Sequence, residues 1–326
     1  MCCSVSPRVY VDFKATKVYG AEVKKPDGKV VHVLGYQNEA RNNVGSWRSM
    51  FPFNLAGKLI PGGANAMILP FPAVPRTMTE ANVLDTKKCP NVLEDISKTI
   101  YNPYMEMASQ GLQSKGARSM SVPAIQVFRA AGIYTVVLAQ DARLIPEALK
   151  QVPLSSRPKL NPELFESYAR WYPDWTFALC CFNNSRLKRA LPLLWWYEPM
   201  FPEEIFLPAL DSHTGEVPSL NNDVDVDHVL AVSSYQMNRN VYSDTVFYKD
   251  KITPELRPYL AEQVIGERYK RPMKNGDFVF DLKEVRNGVF SPIRKPPFGK
   301  GERVKGLAYP DLAGEVPQFL PSIWVE

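Results

Sequence analysis

Proline occupies 29 of the 326 positions and recurs along the whole length of the chain. Because proline has no backbone N–H and restricts the residue before it, it interrupts helices and central β-strands. The prolines cut the chain into short pieces, and long helices are therefore expected to be scarce. Hydrophobic residues make up 45% of the sequence and charged residues 22%, which is enough apolar material for a large buried core. These features predict an α+β protein, rich in β-structure, with mixed or antiparallel sheets and a few short helices.

The first third of the chain carries strand patterns. Apolar residues alternate before and after a Pro-Asp-Gly turn signal, so Lys17–Lys24 and Lys29–Gln37 are predicted to form a β-hairpin. The continuous apolar run "ANAMILPFPAV" at residues 64–74 predicts a buried strand that ends at Pro70 and Pro72.

Helical patterns lie nearer the middle. Apolar residues recur at helical spacing between Val92 and Ile100. A second helix is predicted after Asn161, which suits an N-cap, with Pro162 in the first position. Between these helices the sequence predicts a strand that ends near Ala139 and a short helix around Pro146.

The end of the sequence differs from the rest. Residues 284–326 are rich in proline, glycine and lysine and show no clean periodicity. We predict one body over residues 1–283, built of two related sheet halves in one interpretation, followed by a C-terminal arm. The arm is expected either to lie on the body, held by Phe319, Leu320, Ile323 and Trp324, or to contact a protein partner or a second copy.

Charge and cysteine content narrow the class of protein. The 39 basic and 34 acidic residues leave a formal charge of +5, a surplus too small to indicate a nucleic-acid partner. No apolar run reaches the roughly 20 residues of a membrane helix, and the first residues lack a secretory pattern. The five cysteines are therefore expected to be reduced thiols in the cytoplasm.

The opening "MCCSVSPRV" contains the sharpest candidate for chemistry. If Met1 is removed, Cys2 carries a free thiol beside a free α-amine. In N-terminal nucleophile hydrolases a side chain attacks an amide while the α-amine, with a reference pKa near 8, accepts its proton. A structural thiol, a redox site and an acylation site are the alternatives for Cys2.

Amide chemistry at Cys2 would need assistance from other side chains. A donor must stabilise the oxyanion, and Asn38 and Asn65 are candidates because both lie near predicted strand ends. His213, with Asp211 two residues before it, is the candidate acid or base.

The segment from Asp211 to His228 offers a different interpretation of the same residues. Asp211, His213 and His228 could hold a divalent transition metal through mixed imidazole and carboxylate ligands. The spacing matches no established metal signature, and "DSHTG" is also typical of a turn. In "DVDVDH" the three aspartates alternate with valines, so a strand would place all three carboxylates on one face. Metal binding, a structural loop and a metal-free acid/base or ligand-binding role remain open, and no other cofactor is predicted.

A row of aromatic residues marks a further surface. In "LLWWYEP" the adjacent Trp195, Trp196 and Tyr197 would alternate across a sheet, so at least one ring is expected to face outward. Such a ring could serve as a stacking platform or be covered by another element. Nucleotide-binding and zinc-protease motifs are absent from the sequence.

Four stretches together resemble a group of bacterial proteins. They are "MCC", "NAMILPFPA", "YPDWTFALCCFNN" and the segment "LPALDSHTGEVP" with the later "DVDH". Members of that group open with Met-Cys-Cys and carry an Ala-Met-(Ile/Leu)-Leu-Pro strand. The resemblance brings no established activity. It implies that the Cys-Cys start, Asn65 and the Asp211-x-His213 pair belong to one arrangement.

Two functional hypotheses follow. The first is an amide-bond hydrolase or transferase that uses Cys2 on a small-molecule or peptide amide. The second is a non-catalytic protein that binds a ligand or partner through an aromatic sheet face and the C-terminal arm.

Overall fold

Two long strands form the centre of the largest sheet. In the computed structural model, β2 (Val9–Lys24) and β3 (Val30–Val44) pair antiparallel around a turn closed by Gly28, which confirms the predicted hairpin. The pairing shifts register between Lys14 and Lys17, where Ala15 has a φ of +49°, as expected at a β-bulge. The structure describes residues 3–6, 9–44, 60–100, 123–184, 188–238, 243–297 and 301–304.

The described strands form three sheets, and their pairs are antiparallel except for one parallel pair, β13 with β2. This confirms the predicted β-rich α+β class. The nine-stranded sheet contains, in spatial order, β14 (Asp244–Thr245), β15 (Gln263–Lys274), β13 (Asp223–Ser234), β2, β3, β11 (Leu193–Tyr197) and β6 (Val83–Leu84), with β4 (Ile60–Pro61) and β10 (Lys188–Arg189) paired to β3.

A five-stranded sheet packs against the large one. Its order is β1 (Cys3–Ser4), β5 (Asn65–Phe71), β9 (Thr176–Phe182), β8 (Tyr134–Ala139) and β7 (Ile125–Ala130).

The strand β5 runs through Pro70, which was predicted to end it. The Ala66 carbonyl accepts a hydrogen bond from the Val5 N–H, so the backbone groups of residue 70, four positions on, face the same side. The described part of β1 pairs only with Met67 and Ile68. The missing proline N–H therefore lies on the outer side of the strand, where proline is tolerated.

A four-stranded sheet contains part of the predicted arm. Its order is β12 (Glu204–Leu207), β16 (Asp277–Asp281), β17 (Ile293–Lys295) and β18 (Glu302–Arg303). The division predicted at residue 283 falls inside helix α4 (Leu282–Arg286), and β17 and β18 continue the sheet beyond it. Phe319, Leu320, Ile323 and Trp324 lie outside the described residues.

The helices are short, as the prolines require. α1 (Val92–Thr99), α2 (Ile145–Ala148) and α3 (Pro162–Trp171) agree with the predicted positions. Asn161 caps α3, because its side chain accepts a hydrogen bond from the Glu163 N–H. No helix in the described part of the chain has the length and apolar content needed to cross a membrane.

The core is layered. Between the two large sheets lies one cluster of buried side chains, which includes Met67, Phe71, Cys180 and Trp195. A second cluster lies between the five-stranded sheet and helices α2 and α3, and a third lies under α1 on the large sheet. Cys180 and Cys181 belong to different clusters, so these neighbours point to opposite faces, as the strand alternation predicts.

Candidate functional site

The start of the described chain is attached to the five-stranded sheet. Cys3 pairs with Ile68 in the β1–β5 ladder, while Cys2 lies outside the described residues. Beyond the ladder, the Asn65 side chain holds the segment: its Oδ1 accepts hydrogen bonds from the N–H groups of Val5 and Ser6, at 3.2 and 3.0 Å, and its Nδ2 donates to the Val9 carbonyl at 2.6 Å. Asn65 thus fixes where the amino-terminal segment enters the sheet.

The second oxyanion candidate is buried as well. Asn38 is 1% exposed. Its Nδ2 donates to the Tyr36 hydroxyl at 3.3 Å, and its Oδ1 accepts a hydrogen bond from the Tyr134 hydroxyl at 3.1 Å. These contacts lie in the core between the sheets, so an oxyanion role for Asn38 would require the core hydrogen bonds to rearrange.

Asp211 and His213 are brought together. Nε2 of His213 lies 3.1 Å from Oδ1 of Asp211, and both side chains are partly exposed. Asn275 fixes the backbone of Asp211, accepting a hydrogen bond from its N–H and donating to its carbonyl. The His213 ring meets the ring of Phe13 edge-on, at 5.8 Å between centroids. A carboxylate beside an imidazole can orient the ring for proton transfer.

His228 is separate from this pair. It lies in β13, paired with Thr16 and Tyr269 of the flanking strands, and it is fully buried. No group of three metal-type side chains close enough to hold an ion occurs among the residues that the structure describes. Asp211, His213 and His228 are therefore not assembled as a ligand set there.

The three aspartates of β13 alternate with the valines as predicted. Asp223 lies 2.9 Å from Lys274, and Asp227 lies 3.4 Å from Arg268, both on the neighbouring strand β15. These exposed ion pairs form the charged outer face of a strand pair, a structural role that needs no ligand.

The aromatic residues of β11 do not form an open platform. Trp195 and Tyr197 are buried in the core between the sheets. Trp196 faces the other way, where the Tyr259 ring stacks on it at 6.4 Å and the Lys25 ammonium lies 4.5 Å from its centroid. In the described structure the predicted platform is covered on both faces.

A different set of aromatic residues lines a cavity, which we term the aromatic pocket. Its volume is about 430 Å³, within the range of ligand sites. The described residues that line it come from the residue after β5, the end of α3 and the turn after it, the turn before β12, the strands β12 and β16, and the end of β17 with the two residues that follow: Pro72, Trp171, Tyr172, Pro173, Trp175, Met200, Phe201, Glu204, Phe206, Asp277, Val279, Lys295, Pro296 and Pro297.

Local sequence explains why the rings converge. Pro173 follows the helix end, where it cannot continue α3, and Asp174 adopts a φ of +66° that turns the chain. The turn places the Trp175 ring 5.0 Å from Tyr172 and 4.8 Å from Phe206, between centroids. Phe201 lies 6.3 Å from Trp175 and is 44% exposed, so the pocket presents apolar surface to water.

A buried charged pair lies beside the aromatic pocket. Asp277 accepts a hydrogen bond from the Tyr172 hydroxyl at 2.6 Å and from the N–H groups of Ala209 and Leu210. Burial raises the pKa of Asp277, and these hydrogen bonds and the charge of Arg294 only partly offset that rise. Arg294 packs over the Phe278 ring, and burial lowers its pKa to about 10. The carboxyl group is a buried, hydrogen-bonded polar feature of a mainly apolar lining, to which the exposed Glu204 and Lys295 also belong.

The three cysteines whose side chains the structure describes are buried. Cys89, Cys180 and Cys181 are free thiols and buried. Burial raises the pKa of Cys181 far above its usual range, which keeps the thiol protonated and unreactive.

Sequence reasoning missed the aromatic pocket because its described residues come from five separate segments. Only "YPDW" carried a local signal: a helix end, a proline and two aromatic residues within five positions. Phe201, Asp277 and Lys295 acquire their role through the pairing of β12, β16 and β17, which residue spacing does not reveal.

Comparison with known proteins gives little. No family model matches the chain, and no curated protein matches it. Among solved structures, the crystal structure of baculovirus P35 aligns with 92% of this chain and 100% of its own, at 13% identity and a TM-score of 0.36. A likeness of this degree supports neither a shared fold nor a shared function.

Proposed function

We propose that this chain is a binding protein that takes a proline- and aromatic-containing polypeptide segment in the aromatic pocket. The observation that carries the proposal is the lining itself: five aromatic rings and four prolines around about 430 Å³. Aromatic-lined grooves bind proline-rich segments because rigid, extended chains lose little entropy when they stack on flat rings.

The exposure of the rings supports binding. Phe201 is 44% exposed, whereas Trp171, Tyr172 and Phe206 are between 4% and 8% exposed. A ligand that covers Phe201 removes apolar surface from water, which stabilises the complex by about 25 cal/mol per Å². The neighbouring buried rings are already held in place, so little side-chain entropy is lost on binding.

The charges around the pocket favour a polypeptide. Glu204 and Lys295 are exposed, of opposite sign, and both line the pocket. Such a pair suits a segment that carries its own polar and charged groups on either side of an apolar anchor, which is the usual anatomy of a protein interface.

The test is an array of decapeptides that contain proline next to an aromatic residue, with alanine-substituted copies as the reference. We expect selected peptides to bind the full chain, and Trp175→Ala to weaken them at least about tenfold, since central aromatic anchors carry most binding energy. The matched control is Tyr235→Ala, because Tyr235 is also 44% exposed but does not line the aromatic pocket. Equal loss in both variants, or no selected peptide at all, would contradict the proposal.

A second candidate function is amide hydrolysis or transfer by Cys2 after removal of Met1. The 3.1 Å distance between Asp211 Oδ1 and His213 Nε2 favours it, because a carboxylate that close can assist an imidazole acting as a base. Intact-mass measurement tests the first requirement, since retained Met1 leaves no α-amine on Cys2.

Activity on a panel of amide substrates tests the second requirement. Cys2→Ala is expected to abolish turnover, while Cys3→Ala, its matched control one residue away, is expected to retain it. Loss of turnover in both variants, or in neither, would argue against a nucleophile at Cys2.

A further inference from the structure

A tight turn at the rim of the aromatic pocket joins an exposed ring to an exposed carboxylate. Phe201 and Glu204 are its first and fourth residues, because the Glu204 N–H donates to the Phe201 carbonyl at 3.2 Å. Pro202 occupies the second position, which proline favours. The ends of such a turn lie within about 7 Å of each other. Since both Phe201 and Glu204 line the pocket, the turn places a flat apolar surface beside a negative charge.

The charge of Glu204 is not used inside the described structure. Among the residues that the structure describes, Glu204 takes part in no ion pair, whereas its neighbour Glu203 lies 3.3 Å from Arg286. The partner of Glu204 on β16 is a second acid, Asp281. The Asp281 carboxylate accepts hydrogen bonds from two N–H groups at the start of α4. The carboxylate of Glu204 is thus the one at this end of the pocket that a cation from a ligand can reach.

The cation of the described lining, Lys295, lies at the opposite end of the pocket. Glu204 pairs with Asp281 and Lys295 pairs with Asp277, on the two sides of β16. From a rise of about 3.3 Å per residue and a strand spacing of about 4.8 Å, their backbones are about 16 Å apart. Exposed charges separated by more than about 10 Å are largely screened at 0.1 M salt. The Lys295 end therefore carries charges of both signs, with Asp277, while the Glu204 end is acidic.

We propose that the polypeptide taken by the aromatic pocket carries a basic residue, arginine in preference to lysine, next to its proline and aromatic anchor, and that this residue binds at Phe201 and Glu204. This rests on the proposed function of the pocket. An arginine side chain suits both ends of the turn, since its flat guanidinium group stacks on an aromatic ring and donates paired hydrogen bonds to a carboxylate. Lysine offers a compact charge without the flat surface. Glu204 is then the residue that selects among proline-containing segments.

The experiment uses the full chain and fluorescein-labelled peptides of the decapeptide array, measured by fluorescence anisotropy. Each peptide is made in four versions, with arginine, lysine, glutamine or glutamate directly before or directly after the proline and aromatic pair. The protein variants are Glu204→Gln, which removes the charge, and Glu204→Lys, which reverses it. The matched control is Glu203→Gln, because Glu203 is the adjacent residue, has the same charge and is exposed, but does not line the pocket.

We expect the arginine version to bind the unchanged chain about fivefold more tightly than the glutamine version, the scale of a partly exposed ion pair. The lysine version should lie between them, and the glutamate version should bind most weakly. Glu204→Gln should remove the preference and Glu204→Lys should reverse it, while Glu203→Gln should keep it. Because the contact is electrostatic, the advantage of arginine should also shrink as salt is raised from about 0.05 to about 0.5 M.

The outcomes separate this specificity from the function of the pocket. If all four versions bind the unchanged chain equally, or if Glu203→Gln and Glu204→Gln weaken the arginine version alike, the basic residue is ruled out. The function of the pocket stands in that case if Trp175→Ala still weakens every version. If no version of any peptide binds the unchanged chain, the proposed function and this specificity both fall.

Discussion

The molecule contains two groups of neighbouring aromatic residues that differ in whether they line a cavity. Trp195, Trp196 and Tyr197 lie in β11, a strand between β3 and β6, and are covered on both faces. Trp171, Tyr172 and Trp175 lie at the end of α3 and line a cavity. In each group two rings are buried and one ring, Trp196 or Trp175, is half-buried, so the groups differ in whether they border the aromatic pocket.

The difference follows from position in the layers. A strand inside a sheet turns its side chains alternately to the two faces, and here both faces are covered by other elements. A helix end projects its last side chains past the layer that it packs on, so its rings are covered only where another segment reaches them. Whether a half-buried ring borders a cavity therefore depends here on the segment that reaches it: Tyr259 stacks on Trp196, whereas Trp175 lines the aromatic pocket.

The largest expected effect is on stability, and it separates the two groups. Trp195→Ala should lower the free energy of unfolding by about 3–5 kcal/mol, because the ring is fully buried against Phe71 and Phe128. Trp175→Ala, at a partly exposed ring, should cost less than half as much while abolishing peptide binding. Urea denaturation measures both, and equal losses would contradict the comparison.

The stability of the fold at low pH should depend on His32, which lies beside the buried aromatic residues of β11. His32 pairs with Tyr197 across the sheet, and burial lowers its pKa to about 4, which nearby Glu22 only partly offsets. The unfolded chain binds a proton at His32 near pH 6.5, and the folded chain does not. The free energy of unfolding is therefore at its full value above pH 6.5 and falls as the pH drops toward 4.

The loss attributable to His32 is on the order of 3 kcal/mol, from a pKa difference of about 2.5. Between pH 7 and 4 the unfolding free energy of the unchanged chain should therefore fall by about 3 kcal/mol more than that of His32→Phe. If the unfolding free energies of the two chains change with pH in parallel, the prediction is wrong, because the His32 ring must then be hydrated in the folded chain.

A substitution at Tyr172 tests whether its hydrogen bond to Asp277 stabilises the lining of the aromatic pocket. Tyr172→Phe removes the 2.6 Å hydrogen bond to Asp277 and should cost about 1.5–3 kcal/mol, since the acceptor is charged. It should also raise the pKa of Asp277 further, because a donor that stabilises the carboxylate is lost. Denaturation and carboxyl NMR titration measure these effects, with Tyr259→Phe as a control that leaves Asp277 untouched. An unchanged Asp277 titration would contradict this account.

The smallest change in stability is expected at the most exposed ring. Phe201→Ala should alter the free energy of unfolding by less than about 1 kcal/mol, yet weaken peptide binding about tenfold. Anisotropy titration against Tyr235→Ala, of equal exposure, provides the measurement. Unchanged binding would place the anchor elsewhere in the pocket.

Much of the fold follows from local pattern. The hairpin of β2 and β3, the cap at Asn161 and the opposite orientation of Cys180 and Cys181 depend on neighbouring residues alone. The prediction that Pro70 ends the strand was wrong. A strand can contain a proline where its nitrogen faces an unpaired side, and that side of β5 is determined by its pairing with β1, which the local sequence does not reveal.

The candidate site was less accessible to sequence reasoning. Asp211 and His213 are two residues apart, and their contact is local. Asn38 and Asn65 were chosen as donors near predicted strand ends, but Asn38 lies within β3, which continues to Val44. Both amides are buried, and their hydrogen bonds are used by the fold itself. The aromatic pocket depends on contacts between distant segments, which no local spacing encodes.

The single amide of Asn65 joins the chain start to two strands. Its Oδ1 accepts hydrogen bonds from the N–H groups of Val5, Ser6 and Ala66, and its Nδ2 donates one to the Val9 carbonyl. Spontaneous deamidation there would set a carboxylate oxygen against the Val9 carbonyl, two acceptors facing each other without a proton between them. Chemical ageing at this one position would then loosen the beginning of the polypeptide while leaving the layered core intact.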